Sequence, residues 1–141
     1  MIASLRHIGI VTCNIQKSID FYSDNFDFKV TSDQNESGNF ISTILGRKTA
    51  VRTVKMTNGC FTLEFLNFEN HNNENFDIFT LGCTHFALTV NSAHSVYNDL
   101  IAKNVFFISE PKVSKDKKVI VCFLKDPYNN IFIEIVEELN K

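Results

Sequence analysis

The chain contains no tryptophan, no closely spaced pair of cysteines, no surplus of either charge and no long apolar run. Each absence closes a class of function. Without tryptophan, any role that needs an indole is excluded. Fourteen basic residues against sixteen acidic ones leave a formal net charge of −2. They are scattered along the chain, so the electrostatic footprint a nucleic-acid backbone requires is missing. The one basic cluster, Lys112 to Lys118, is interrupted by Val113, Ser114 and Asp116 and reads as a solvated loop ahead of a strand. Cys13, Cys60, Cys83 and Cys122 are too far apart for a C-x-x-C motif. Met1 runs straight into a strand-like segment whose single charge is Arg6, with no secretory leader pattern. The expectation is a cytoplasmic protein with free thiols. No apolar stretch approaches the roughly 18 residues of a membrane helix, so no membrane partner is expected.

What the chain does contain is a core. Of its 141 residues 44% are hydrophobic, including fourteen Phe, and a chain of this length buries roughly two thirds of its unfolded surface. Period places the elements. A strand is expected from about Ile2 to Thr12. Asn14 then stands at an N-cap position, and Ile15, Ile19, Tyr22 and Phe26 recur on one helical face. Phe28 to Thr31 reads as a short strand, Asn39 to Leu45 as a very short helix between Gly38 and Gly46, and Val51 to Met56 and Cys60 to Phe68 as strands joined at Asn58 and Gly59.

Residues 69–82 read as a polar linker, after which the order begins again. Thr84 to Val90 is a strand. A helix follows from Ser92, with Ala93, Val96, Tyr97, Leu100 and Ile101 on one face. Strands are expected at Phe106 to Ser109, Val119 to Leu124 and Ile131 to Glu137, with Asp126 to Asn130 as the last turn. The halves match at an offset of 78 from His7 to His85 and of 70 from Lys55–Leu66 to Lys125–Val136. The expected architecture is therefore α+β, one domain built of module 1 (1–68), linker (69–82) and module 2 (83–141), each module a strand, a helix and three strands.

Period two assigns the strand faces. Ile8 and Ile10, Phe61, Leu63 and Phe65, Phe86, Leu88 and Val90, and Ile131, Ile133 and Ile135 form apolar faces fit to pack on helices. The opposite faces carry His7, Glu64, His85 and Glu134 among small or apolar neighbours. Burying an unpaired carboxylate costs several kcal/mol, a large part of a domain's roughly 5 to 15 kcal/mol of stability. Two His and two Glu at matched positions of a repeat can solve this together by converging on one divalent cation as an N2O2 set. His71 and His94 lack such support and are expected to be solvated. Cys60 and Cys83, which share the parity of Glu64 and His85, read as small buried hydrophobes rather than further ligands. Arg52, on the strand beside Glu64, is either a surface salt-bridge partner or a contact for a substrate carboxylate or phosphate.

With these residues in place, the chain resembles the vicinal oxygen chelate superfamily, which includes glyoxalase I, methylmalonyl-CoA epimerase, extradiol dioxygenases and drug-resistance proteins. The resemblance is carried by the run from His7 to Val11, by Ser18 to Tyr22, by Leu63-Glu64-Phe65, by Thr84 to Val90 and by Asp126 to Glu134. It implies two tandem βαβββ modules forming an open, metal-centred β-barrel, generally in a homodimer. It also implies His7, Glu64, His85 and Glu134 as ligands of one divalent ion, with nickel, cobalt or zinc ahead of manganese or iron.

The four ligand types are similar to those of glyoxalase I. The extradiol dioxygenases have two His and one carboxylate with no Glu at the second position, and resistance proteins have usually lost the set. Glyoxalase I of bacteria holds glutathione with an Arg and an Asn at positions that are Val11 and Phe68 here, which implies another substrate. The implied function is a metal-dependent lyase, isomerase or epimerase acting on a small molecule, with Glu64 or Glu134 as the base. Its alternatives are a non-catalytic small-molecule-binding protein and an Fe(II) dioxygenase.

Overall fold

The structure, a computed structural model, describes residues 4–71 and 76–139. The chain divides into two units, Met1–Glu74 and Asn75–Lys141, with the boundary inside the expected linker. No helix among the described residues is long and apolar enough to cross a membrane.

The first unit runs β1 (Ile8–Val11), α1 (Ile15–Phe26), β2 (Lys29–Glu36), α2 (Asn39–Ile44), β3 (Val51–Thr57) and β4 (Thr62–Phe68). Its strands form one sheet in the order β1-β4-β3-β2. The unit's first and last strands thus lie side by side, and β1 and β4 pair in parallel. Helix α1 begins where Asn14 accepts a hydrogen bond from the Lys17 amide at 3.1 Å, and ends at Asp27 in the left-handed region. Its buried residues are Ile15, Ser18, Phe21 and Tyr22, a stripe turned from the expected one, with Ile19 and Phe26 only half-buried. The turn has a polar cause. Ser18 is fully buried because its hydroxyl lies 3.1 Å from that of Thr12 and donates to the Asn14 carbonyl at 3.2 Å. Beneath the helix, Tyr22 meets Phe65 and Phe28 at ring-centroid distances of 5.1 and 5.8 Å.

The second unit runs β5 (His85–Thr89), α3 (Ala93–Ile101), β6 (Lys112–Val113), β7 (Val119–Lys125) and β8 (Phe132–Glu138), with sheet order β5-β8-β7-β6. Ser92 caps α3, accepting from the Ser95 amide at 3.2 Å. Leu124, Ile133 and Ile135 are fully buried, as are Leu63, Phe65 and Val54 in the first unit. Two tandem βαβββ units, with α2 inserted in the first alone, make the fold α+β. The sheets are separate and neither closes on itself.

Several boundaries depart from expectation. Strand β1 starts at Ile8, where its parallel ladder to β4 begins, pairing Ile8–Val11 with Leu63–Leu66; the expected residues 2 and 3 lie outside the described ones. Strand β2 extends through Glu36 because β3 supplies a full antiparallel ladder, with a register shift between Val30 and Ser32, to a segment whose own composition is polar. The Asn58–Gly59 turn spans four residues, 58–61, and Asn58 Oδ1 accepts from the Cys60 and Phe61 amides. Phe106 to Ser109 forms no regular strand. It makes one bridge, Phe107 to Leu124, and backbone bonds to Phe123 and Lys125, and the edge strand falls instead at Lys112–Val113, inside the expected loop. Ile101, expected on the buried face of α3, is exposed. Cys60 and Cys83 are exposed rather than buried, since both precede the strands whose parity they were assigned.

Candidate functional site

The parallel pair of each sheet, β1 with β4 and β5 with β8, positions the histidine and glutamate. In the first unit Gly9 of β1 lies opposite Glu64 of β4. His7 precedes Gly9 by two residues and so shares its face. The outcome is a short contact, His7 Nε2 to Glu64 Oε2 at 3.0 Å. Across the antiparallel β3–β4 ladder the residue facing Glu64 is Lys55, whose Nζ lies 3.4 Å from Glu64 Oε1. Both carboxylate oxygens are thus engaged by different partners, and the Glu64 side chain is only 15% exposed. Lys55 went unnoticed in the sequence, where lysines on strands usually mark solvent. Counting the antiparallel register back through the turn from Thr62 and Thr57 brings it opposite Glu64.

The second unit repeats the parallel half of this construction. Ala87 of β5 lies opposite Glu134 of β8, and His85, two residues earlier, places Nε2 at 3.6 Å from Glu134 Oε2. Across the antiparallel ladder the residue facing Glu134 is Phe123, whose ring meets that of His85 edge-on at 5.3 Å. Lys125, matched to Lys55 by the offset of 70, instead faces Phe132. The offset holds for β4 and β8 but slips by two residues between β3 and β7, because the turn before β8 is longer. That turn is organised by Asp126, buried, which accepts from the Tyr128 and Asn129 amides at 2.8 and 3.1 Å.

Arg52 has the other parity. It lies opposite Asn67, on the face shared with Val54 and Met56, and not on the Glu64 face. Its guanidinium forms a two-pronged pair with Asp33 at 2.7 and 3.0 Å, which holds the Asp33 carboxyl below its ordinary range. The structure does not bring Arg52 to the His7–Glu64 pair. Val11 is exposed and Phe68 half-buried at the positions where glutathione contacts are expected by resemblance, and neither carries a charge or an amide. His71 and His94 are exposed. Cys122 is buried, which pushes its thiol up to about 11.

The donor chemistry suits a divalent cation. Each unit offers one imidazole nitrogen and one carboxylate oxygen on a common face, 3.0 and 3.6 Å apart. Two donors each ~2.1 Å from a metal at angles near 90° to 110° are separated by about 3.0 to 3.5 Å. Among the described residues no group of three or more His, Cys, Asp or Glu is gathered, so the donors come as pairs.

A duplicated βαβββ unit with a His–Glu pair set by its matched parallel strands defines a class of protein. The chain belongs to the Glyoxalase/Bleomycin resistance protein/Dioxygenase superfamily, whose family model matches residues 4–135. Among curated relatives it is 26% identical over 140 residues to the mitochondrial methylmalonyl-CoA epimerase of Dictyostelium discoideum, covering 97% of this chain and 80% of that protein. Among solved structures it is similar to a glyoxalase family protein from Bacillus cereus, with a TM-score of 0.82 at 17% identity, covering 99% of this chain and 97% of that one. It is also similar to the trypanothione-dependent glyoxalase I of Leishmania major, with a TM-score of 0.67 at 18% identity, covering 96% and 87%.

Proposed function

We propose that the chain is a metal-dependent lyase or isomerase of the glyoxalase type that moves a proton on the carbon beside a carbonyl, in the manner of an acyl-CoA epimerase. The observation that carries the reading is the repeated pair itself: His7 with Glu64 and His85 with Glu134, set by the same strand register in both units. The proposed ligands of the divalent cation are His7 and Glu64 from the first unit and His85 and Glu134 from the second, with nickel, cobalt or zinc ahead of manganese or iron. When bound, the cation supplies Lewis-acid polarisation of the substrate carbonyl, which makes the adjacent C–H acidic.

The chain's own part is proton handling. Glu64 or Glu134 takes the proton from that carbon and returns it, to the opposite face for epimerisation or to the neighbouring atom for isomerisation. Val11 and Phe68 at the expected glutathione positions, together with the similarity to a methylmalonyl-CoA epimerase, favour an acyl thioester over a glutathione adduct.

The test is deuterium incorporation from heavy water into methylmalonyl-CoA and, in parallel, into a glutathione hemithioacetal, with protein purified without chelator and its metal content measured. The expected result is metal-dependent exchange at the carbon of the acyl thioester, lowered about 10²- to 10⁴-fold in Glu134→Gln. A folded protein that takes up no divalent metal and melts identically with and without chelator would overturn the reading. Oxygen-sensitive Fe(II) in the purified protein, with no exchange, would replace it with a dioxygenase.

A further inference from the structure

We propose that Lys55 is a substrate-binding residue that takes the free carboxylate of a malonyl-type acyl substrate, one with an acid group on the carbon that loses its proton. This rests on the reading of the Glu64 face given above. Four observations carry it. Register sets Lys55 directly opposite Glu64, on the same face, in the middle of the β3–β4 ladder. An ammonium has three N–H donors; that of Lys55 makes an ionic contact with Glu64 Oε1, at 3.4 Å, and the side chain is one-third exposed. That leaves donors available to a second anion beside Glu64. The other oxygen of Glu64 is held by His7, so Lys55 approaches the carboxylate at the oxygen His7 leaves open.

The fourth observation is the contrast with the second unit, where the equivalent position is Phe123, packed against His85. The Glu134 side therefore has an apolar neighbour where the Glu64 side has a cation. Epimerisation requires the carbon to lose its proton on one face and regain it on the other while the rest of the substrate stays in place. A cationic anchor meets that requirement, because it fixes a carboxylate in one orientation. Neutral acyl substrates would lack the charge-assisted bond.

The experiment uses the metal-loaded full chain and compares wild type with Lys55→Met, Lys55→Arg and, as a control for loss of a surface cation, Lys118→Met. Thermal melting checks that each variant is folded. Methylmalonyl-CoA exchange gives KM and kcat, and propionyl-CoA, which keeps the coenzyme phosphates but lacks the carboxylate, gives an inhibition constant. The expected result in Lys55→Met is a tenfold or greater rise in KM for methylmalonyl-CoA and an unchanged inhibition constant for propionyl-CoA. Lys55→Arg should recover most of the loss, and Lys118→Met should match wild type. An equal loss for both thioesters would assign Lys55 to the coenzyme phosphates or to structure and overturn the proposal, as would no change for either. If wild type catalyses no exchange, the reaction reading has failed, and calorimetric binding of malonate still decides on Lys55. Tighter binding to wild type than to Lys55→Met supports the contact, and equal or absent binding overturns it.

Discussion

The two His–Glu pairs are built alike and surrounded differently. In both units the histidine stands two residues ahead of the residue facing the glutamate on a parallel neighbour, Gly9 in one and Ala87 in the other. A lysine faces the first glutamate across the antiparallel ladder and a phenylalanine faces the second. The first carboxylate has both oxygens held and is 15% exposed, whereas the second makes its ionic contact with His85 at the longer distance of 3.6 Å and is 24% exposed. The repeat therefore duplicates the donor pair through the parallel ladder, while the antiparallel ladder differentiates its surroundings. The same division recurs at the strand ends. Asn67 donates to the Thr12 carbonyl at 2.8 Å ahead of α1, and Glu137, at the matched position of β8, accepts the Ala93 amide at the start of α3, also at 2.8 Å.

The largest expected effect tests whether the two carboxylates are interchangeable. Glu134→Gln is expected to lower the exchange rate about 10²- to 10⁴-fold, the span of a lost general base. Glu64→Gln should cost less, because a carboxylate tied at both oxygens is not the one that moves to fetch a proton. Equal losses would break the comparison. Next in size is the core beneath each pair. Leu63→Ala and Ile133→Ala each empty a fully buried site on the helix-packed face, and each should destabilise by about 2–5 kcal/mol in chemical denaturation. A small cost at one site and a large one at the other would show that the units are not equally packed.

Helix starts sharpen the comparison at a smaller scale. Asn14→Ala should cost about 1 kcal/mol through loss of the α1 cap. Ser92→Ala should cost less, because Glu137 also serves the first turn of α3. Chemical denaturation of the two variants checks the order. The smallest effect concerns thiols. Cys13, Cys60 and Cys83 should react with a thiol reagent near pH 8, and Cys122 only after unfolding. Burial raises the folded Cys122 thiol to about 11, above its ordinary value of 9.0. The unfolded chain therefore loses that proton first, and the contribution is present below pH 9 and lost as pH rises toward 11. Cys122→Ala should flatten stability over that window.

Much of this was legible in the residues because it depends on local period. Asn14 marks a helix start by hydrogen-bond chemistry that operates within a turn, and its cap occurs as expected, while the helix expected from Ser92 begins at Ala93 with Ser92 as its cap. The alternation of Leu63, Glu64 and Phe65 assigns faces with no knowledge of a partner strand, and Leu63 and Phe65 are fully buried as expected. What was not legible involves partners distant in the chain. The extension of β2 to Glu36 comes from the β3 ladder rather than from its own polar composition. The rotated stripe of α1 comes from the hydroxyl pair Thr12 and Ser18, which a hydropathy pattern does not register. Arg52 was adjacent to the site by strand but lies on the opposite face, and a two-residue difference in turn length turned the Lys55–Lys125 match into a Lys55–Phe123 correspondence.

The sequence by itself determined that this protein is a repeat with alternating strand faces, and that each half sets one histidine and one glutamate on the less apolar face. Side-chain period and capping are properties of a few consecutive residues, and they survive without tertiary contacts. Only the tertiary structure decided which residue looks across at each glutamate, because strand register is set by turn length and by ladders between segments far apart in the chain. That register put a cation beside Glu64 and a phenyl ring beside Glu134, and so made two similar half-sites chemically different.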